Sequence, residues 1–138
     1  VAPITGPAHA AILTGVQPAR YGVRDNATTP LPDEALTLAE TLSSSGFATG
    51  GFIGAFILDR SYGFAQGFDT FESGFTRVDS GTEANTARAA NAVVDDALRW
   101  LSTLPADRPF FGWVHLYDAH VAYTPPAPFS RWGSKRWW

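Results

Sequence analysis

The chain contains no cysteine and no methionine among its 138 residues. Without cysteine it can form neither a disulfide nor a thiolate metal site, and it has no cysteine nucleophile. Long hydrophobic runs are missing as well: no segment approaches the ~18–20 consecutive apolar residues that cross a bilayer, and the first residues lack the basic start and apolar stretch of a signal peptide. The sequence therefore predicts no membrane segment, and it indicates no compartment.

Positive charge is also scarce. Ten Lys and Arg residues stand against 13 Asp and Glu residues, which gives a formal net charge of -3. No basic stripe is available for nucleic-acid phosphates or anionic lipids, so we expect no nucleic-acid partner. Apolar residues make up 45% of the chain, which is enough for one hydrophobic core.

The first half of the chain has the pattern of an α/β protein. The Ala-rich stretch 7–13 begins with proline and is closed by Thr14 and Gly15, which predicts a short helix. Residues 16–34 mix Pro, Gly, Asn and Asp without periodicity and predict a long loop. Apolar residues at helical spacing predict a helix over 33–45, followed by a strand over 47–53.

The second half adds one helix and one strand. Ser80 and Glu83 form a capping-box pattern, and apolar residues recur at three- and four-residue intervals over 90–104, which predicts an amphipathic helix. The near-continuous apolar run 109–117 predicts a strand buried on both faces of a parallel sheet. Residues at the carboxyl end of that strand are expected where α/β sheets bind ligands. The tail 124–138 is Pro-rich and then Trp-rich, and predicts no regular structure.

Thr5 lies just before the first predicted helix. The positive end of the helix dipole and the free backbone N–H groups there favour a bound anion such as sulfate or phosphate. This position suits a nucleophile that attacks a tetrahedral oxyanion ester. On local features alone, an N-cap role for Thr5 is the more common explanation.

The segment "TGPAHAAILTG", followed by "QPARYGVRDN", resembles the nucleophile motif of the sulfatase family, within the alkaline phosphatase superfamily. The matching positions are Thr5, Pro7, Ala8, His9, Leu13, Thr14, Gly15, Pro18, Gly22 and Asn26. Later blocks of the same family resemble "TLAETLSSSGFATGGFIGAF", "GFAQGFDTF" and "PFFGWVHLYDAHVAYTPPAPF". The resemblance implies an α/β sandwich with a largely parallel mixed sheet. We expect residues 1–138 to form one incomplete catalytic domain of this kind.

By this resemblance Thr5 takes the place of the nucleophile, and His9 that of the supporting basic residue, usually Arg in formylglycine-dependent sulfatases. Formylglycine is made from Cys or Ser, so none is expected at Thr5. A metal-activated threonine is instead the pattern of nucleotide pyrophosphatases, phosphodiesterases and phosphoethanolamine transferases. In those phosphodiesterases an Asn 21 residues after the threonine binds a phosphoryl oxygen, and Asn26 has this spacing.

Two histidines lie in or just after the predicted strand 109–117. His120 resembles the family histidine that contacts the sulfuryl group or the leaving oxygen, although a lone loop histidine is more often structural. His115, inside the apolar run, is interpreted as a buried histidine with satisfied hydrogen bonds. Asp118 is expected to cap the turn after the strand or to orient His120, and the capping role is the commoner one.

The resemblance also implies a divalent cation, Ca, Mg, Mn or Zn. Thr5 would be its only ligand from this chain, because the family's paired aspartates belong before Val1 and its second ligand set after Trp138. The adjacent Asp95 and Asp96 are interpreted as a solvated helix face, since neighbouring helical residues point about 100° apart. We therefore expect the 138-residue chain alone to be inactive.

Three functions remain open. The first is hydrolysis of small-molecule sulfate esters by the intact protein. The second is a phosphodiesterase or a phosphoryl or phosphoethanolamine transferase on the same fold, because both ester classes present tetrahedral oxyanions and the fold does not separate them. The third is an inactive sulfatase-like binding domain, favoured by threonine at the nucleophile position and by the absence of the usual Lys within "GGFIGAF", residues 50–56.

Overall fold

The structure, a computed structural model, describes residues 3–75, 87–120 and 127. Helices and strands alternate along this part of the chain. The α-helices are α1 (Thr5–Thr14), α2 (Leu38–Ser44) and α3 (Ala90–Thr103), and the strands are β1 (Ala48–Ile53), β2 (Thr70–Glu72) and β3 (Phe110–His115). Short 3-10 helices span Pro18–Tyr21, Phe56–Leu58 and Arg60–Tyr62. None of the described helices is long and apolar enough to cross a membrane.

The three strands form one sheet in the order β2-β1-β3, and both pairings are parallel. All six residues of β1 are buried, as expected for a central strand. Two glycines on β1 let aromatic rings approach the backbone from opposite faces. A Cβ on Gly50 would lie 2.8 Å from the Trp100 ring, and one on Gly51 would lie 2.6 Å from the Phe71 ring.

Helices cover both faces of this sheet. On one face α1 contributes Ala10 and Leu13 to a core that also contains Ile53 and Phe71. On the other face α3 packs Val93, Ala97 and Trp100 against Phe52. The predicted α/β class and the parallel sheet are therefore confirmed.

Strand β3 differs from its prediction as a strand buried on both faces. Its residues alternate between exposed and half-buried along the strand. Phe110 and Val114 are 52% and 43% exposed, whereas Phe111, Trp113 and His115 are half-buried on the α1 side. The reason is that β3 is an end strand of the described sheet, and α3 covers only part of its outer face.

The helix predicted over 33–45 begins later, at Leu38. Thr37 caps it in a capping box with Glu40, whose carboxylate accepts the Thr37 N–H at 2.7 Å. Leu36 lies outside the helix and is 64% exposed. The capping box predicted at Ser80 and Glu83 lies outside the described residues, as does nearly all of the Trp-rich tail.

Candidate active site at the amino end of helix α1

Thr5 is the first helical residue of α1, and Ile4 takes the N-cap position without a side-chain cap. The hydroxyl of Thr5 makes no hydrogen bond with any residue that the structure describes. The N-cap explanation for Thr5 is therefore wrong. Its hydroxyl is left available at the positive end of the helix dipole.

The expectation of several free N–H groups at this helix end is also wrong. The Gly6 N–H donates to Asn26 Oδ1 at 2.8 Å, and the Ala8 N–H donates to the Ile4 carbonyl at 3.0 Å. Pro7 has no N–H to give. Within the described part of the chain, Thr5 alone keeps a free backbone donor in this first turn.

Asn26 reaches the helix from the loop that follows residues 18–21. Its own N–H donates to Asp25 Oδ1 at 2.7 Å, and the next residue, Ala27, has a φ of 56°. A Cβ on Gly6 would lie 3.2 Å from Asn26 Oδ1, so glycine makes room for this contact. Because Oδ1 accepts the Gly6 N–H, the Nδ2 amide of Asn26 remains as a donor near this end of α1.

His9 lies one turn after Thr5 on α1. Its Nδ1 is 2.8 Å from the Thr5 carbonyl, and because a carbonyl only accepts, Nδ1 carries the proton of this bond. The ring packs edge-on against His115, with centroids 4.9 Å apart, and lies 5.8 Å from Trp113. Nε2 is thus the His9 nitrogen left for a ligand.

His115, at the end of β3, does not match its interpretation as a satisfied histidine. Its Nδ1 is buried and has no hydrogen-bond partner among the residues that the structure describes. Burial, and secondly the charge of nearby His9, lower the pKa of His115 to about 4. His115 is therefore neutral at pH 7. The alternation of Phe111, Trp113 and His115 on one strand face was the signal that could have placed this ring beside α1.

His120 lies in the loop after β3 and belongs to the same set of packed side-chain rings. Its ring stacks on Tyr117 with centroids 4.4 Å apart and an interplanar angle of 14°. The Tyr117 ring in turn lies 6.1 Å from that of His115. A row of rings, His9, His115, Tyr117 and His120, therefore extends from the first turns of α1 to the loop after β3.

The described hydrogen bond of Asp118 is one that neither expectation named. Its Oδ1 accepts the N–H of Ala90 at 3.1 Å, and Ala90 is the first residue of α3. Asp118 therefore caps a helix that lies 28 residues earlier in the chain. This contact fixes the loop that carries His120.

The aspartate pair of α3 divides into two different environments. Asp95 is exposed, as predicted, but Asp96 is ion-paired with Arg88 at 2.5 Å and with Arg99 at 2.6 Å. Burial raises the pKa of Asp96, yet hydrogen bonds from both arginines outweigh it and hold the pKa below its usual range. Arg88 also donates to the carbonyls of Ile53 and Glu72, which fastens α3 to the ends of β1 and β2.

A cavity of about 370 Å³ lies near the ends of β1 and β2. Burial raises the pKa of its Asp59 carboxyl, but hydrogen bonds from Ser73 and Ser61 outweigh this and lower the pKa. None of the predicted site residues lines this cavity. Its lining comprises Phe56, Asp59, Arg60, Ser61, Tyr62, Ser73 and Phe75.

The donor set of the described residues does not by itself fit a metal ion. No group of three or more His, Asp or Glu side chains converges within the described part of the chain. His9 Nδ1 is already engaged by the Thr5 carbonyl. A divalent cation would thus find at most isolated ligands here.

The comparisons identify related proteins. A family model described as Sulfatase matches residues 1–135. BT4656 in complex with its substrate D-glucosamine-2-N,6-O-disulfate has a similar structure, with a TM-score of 0.70 and 23% identity over 91% of this chain. So has Ps i-CgsB in complex with k-i-k-neocarrahexaose, with a TM-score of 0.68 and 18% identity over 91% of this chain. At these identities the likeness establishes the fold.

An alkaline phosphatase superfamily protein from Vibrio parahaemolyticus matches less closely, with a TM-score of 0.50 and 21% identity over 86% of this chain. The chain spans 27%, 37% and 30% of the lengths of these three neighbours. The comparison with curated proteins finds no match.

Proposed function

Because the chain belongs to the sulfatase family, we propose that the intact protein hydrolyses sulfate esters with Thr5 as the nucleophile. The observation that carries this proposal is the cluster at the first turns of α1. Asn26 bonds the backbone of Gly6, and His9 bonds the carbonyl of Thr5, so both side chains surround the nucleophilic residue.

In the proposed reaction the Thr5 hydroxyl gives its proton to water, and Oγ1 attacks the sulfur atom while the bond from sulfur to the leaving oxygen breaks. Asn26 donates from Nδ2 and His9, in its imidazolium form, donates from Nε2 to non-bridging oxygens, and His120 donates a proton to the leaving alcohol. Water then cleaves the sulfated threonine and releases sulfate. No formylglycine takes part, because Thr5 is not a residue from which it is made.

A divalent cation, Ca, Mg, Mn or Zn, belongs to this proposal for the intact protein. Thr5 Oγ1 would be the only ligand from the described residues, since no cluster of ligands converges there. The substrate is proposed to be a small-molecule sulfate ester, which the sulfated glucosamine substrate of BT4656 supports.

A second candidate is a phosphodiesterase or a phosphoryl or phosphoethanolamine transferase. It is favoured by threonine at the nucleophile position and by Asn26, which stands 21 residues later and lies against Gly6. A third candidate, an inactive binding domain, is favoured by the absence of Lys within residues 50–56. A bound sulfate or phosphate anion would fit all three candidates.

The test measures hydrolysis of matched aryl sulfate, aryl phosphate monoester and aryl phosphodiester substrates by the intact protein, with each of the four metals. Thr5→Val removes the hydroxyl and keeps the β-branched shape, and Thr14→Val makes the same change at the other end of α1. We expect turnover that is highest on sulfate, lost in Thr5→Val and retained in Thr14→Val. A preference for the phosphodiester would favour the second candidate, and turnover that survives in Thr5→Val would refute threonine catalysis.

A further inference from the structure

We propose that His115 is a further substrate-binding residue, whose Nε2–H donates a hydrogen bond to an oxygen of the anion that Thr5 attacks. This inference rests on the proposed function. It assigns a role to a side chain that the proposed reaction leaves unused.

The position of His115 close to Thr5 is the first observation that supports this role. His115 ends β3 on the face that α1 covers, and its ring lies 4.9 Å from that of His9. His9 in turn bonds the Thr5 carbonyl at 2.8 Å. His115 is thus separated from the nucleophilic residue by a single imidazole.

The unsatisfied Nδ1 of His115 is a second observation that supports a functional role. A buried polar atom without a partner destabilises a fold, and a phenylalanine of similar shape would avoid this cost. Native proteins keep few such atoms, and a functional role is one recognised reason for keeping them. The neighbours of His115 are rings, Trp113 and Tyr117 among them, so a phenylalanine would suit this position.

The other ring nitrogen of His115, Nε2, is the atom that would contact the anion. Nε2 is not among the buried unpaired atoms of the described residues, and no described group bonds it. With the proton on Nε2, Nδ1 is a buried unused acceptor and Nε2–H can donate to a ligand. Because the pKa of His115 is lowered to about 4, the ring remains a neutral donor at pH 7.

The experiment compares three variants of the intact protein. His115→Phe keeps the ring and removes both nitrogens, His115→Gln places an amide nitrogen near the position of Nε2, and His115→Asn places one near Nδ1. For each variant we would measure kcat/KM on the aryl sulfate, the dissociation constant of inorganic sulfate, and the midpoint of thermal unfolding.

We expect His115→Phe to raise the unfolding midpoint by about 2–4 °C and to lower kcat/KM by about 10²–10³-fold, as for loss of one oxyanion donor. Sulfate should bind more weakly to the same variant. His115→Gln should recover at least about a tenfold part of the lost kcat/KM, and His115→Asn should recover none.

The proposal is overturned if His115→Phe keeps full turnover and sulfate affinity, or if Asn restores activity as well as Gln. If His115→Phe does not fold, the Gln and Asn pair still decides the matter. Turnover that survives in Thr5→Val contradicts the proposed function itself. Loss in Thr5→Val without loss in His115→Phe contradicts only the role of His115.

Discussion

The two ends of the Asn26 amide have separate tasks. Oδ1 accepts the Gly6 N–H and so satisfies a donor of the α1 backbone, while Nδ2 is the end proposed to donate to a bound anion. Asn26 therefore occupies the Gly6 N–H of the helix and offers the N–H groups of its own amide from the loop. Structural and ligand-binding roles of Asn26 can be separated by changing one end at a time.

Asn26→Asp keeps an oxygen for the Gly6 N–H but replaces the Nδ2 donor with negative charge. We expect its free energy of unfolding to stay near that of the wild type, while kcat/KM falls by at least about 10²-fold, since an oxyanion donor is lost. Asn26→Ala should lose activity and also about 1–2 kcal/mol of stability, because the Gly6 N–H loses its acceptor. Urea unfolding and kinetics of the intact protein check both, and equal stability losses in the two variants would contradict this division of roles.

His115 makes stability depend on pH in a definite direction. Its pKa is about 4 in the folded protein and near 6.5 when unfolded, so between these values only the unfolded chain binds the proton. The stabilisation from the neutral ring is complete above pH 6.5 and is lost as the pH falls towards 4. On the order of 2–3 kcal/mol separates these limits.

The measurement is the free energy of unfolding of wild type and His115→Phe at several pH values between 7 and 4. The difference between the two proteins should change in favour of His115→Phe as the pH falls, because carboxylates titrate alike in both. Parallel pH curves would show that the folded protein does not keep His115 neutral.

Among the elements, α3 and the loop after β3 are joined by one side chain. The N-cap residue of α3 is Ala89, whose methyl group cannot accept a hydrogen bond. Asp118 accepts the Ala90 N–H in its place. The negative charge of Asp118 also suits the positive end of α3. The same loop holds Tyr117 and His120, so the stability of α3 and the position of His120 are coupled.

Asp118→Ala should lower stability by about 0.5–2 kcal/mol, the usual cost of a lost helix cap. It should also lower kcat, because the His120 loop loses its attachment to α3. Asp118→Asn keeps the accepting oxygen and should retain most of both properties. Unfolding curves and kcat of the intact protein test this, and an Asn variant as impaired as the Ala variant would indicate a role for the charge.

The bounds of some helices and strands could be predicted from the sequence and those of others could not, for physical reasons. Helix α1 and strand β1 match closely, since Gly15 at φ 68° ends the helix and six consecutive buried residues form the strand. Strand β2 has only three residues, too few for a periodic pattern. For α2, apolar spacing placed the start too early, because the capping box of Thr37 and Glu40 decides it.

Part of the candidate site followed from the sequence as well. Thr5 and His9 are one helical turn apart, so their proximity follows from helix geometry. The bond from Gly6 to Asn26 depends on the conformation of a loop, so the sequence did not predict it. The family spacing pointed only to Asn26 as a site residue. The role of Asp118 and the unsatisfied Nδ1 of His115 depend on packing between distant segments, which no local pattern encodes.

Taken as a whole, the described molecule leaves apolar side chains exposed along one side. Phe110, Val114 and Leu116 of the β3 region are 52%, 43% and 50% exposed, and Leu98 on α3 is 58% exposed. An end strand with apolar, exposed residues favours association with another chain. Soluble monomers rarely leave large apolar surfaces uncovered.

We therefore expect the 138-residue chain, produced alone, to self-associate. Val114→Lys places a charge on the exposed face of β3 and should reduce association, whereas Ala19→Lys adds the same charge at an exposed position outside the sheet and should not. Size-exclusion chromatography with light scattering over a range of concentrations measures this. A monodisperse wild-type monomer with a sharp, cooperative melting transition would contradict the prediction, because it would mean that the exposed side of β3 and α3 needs no cover.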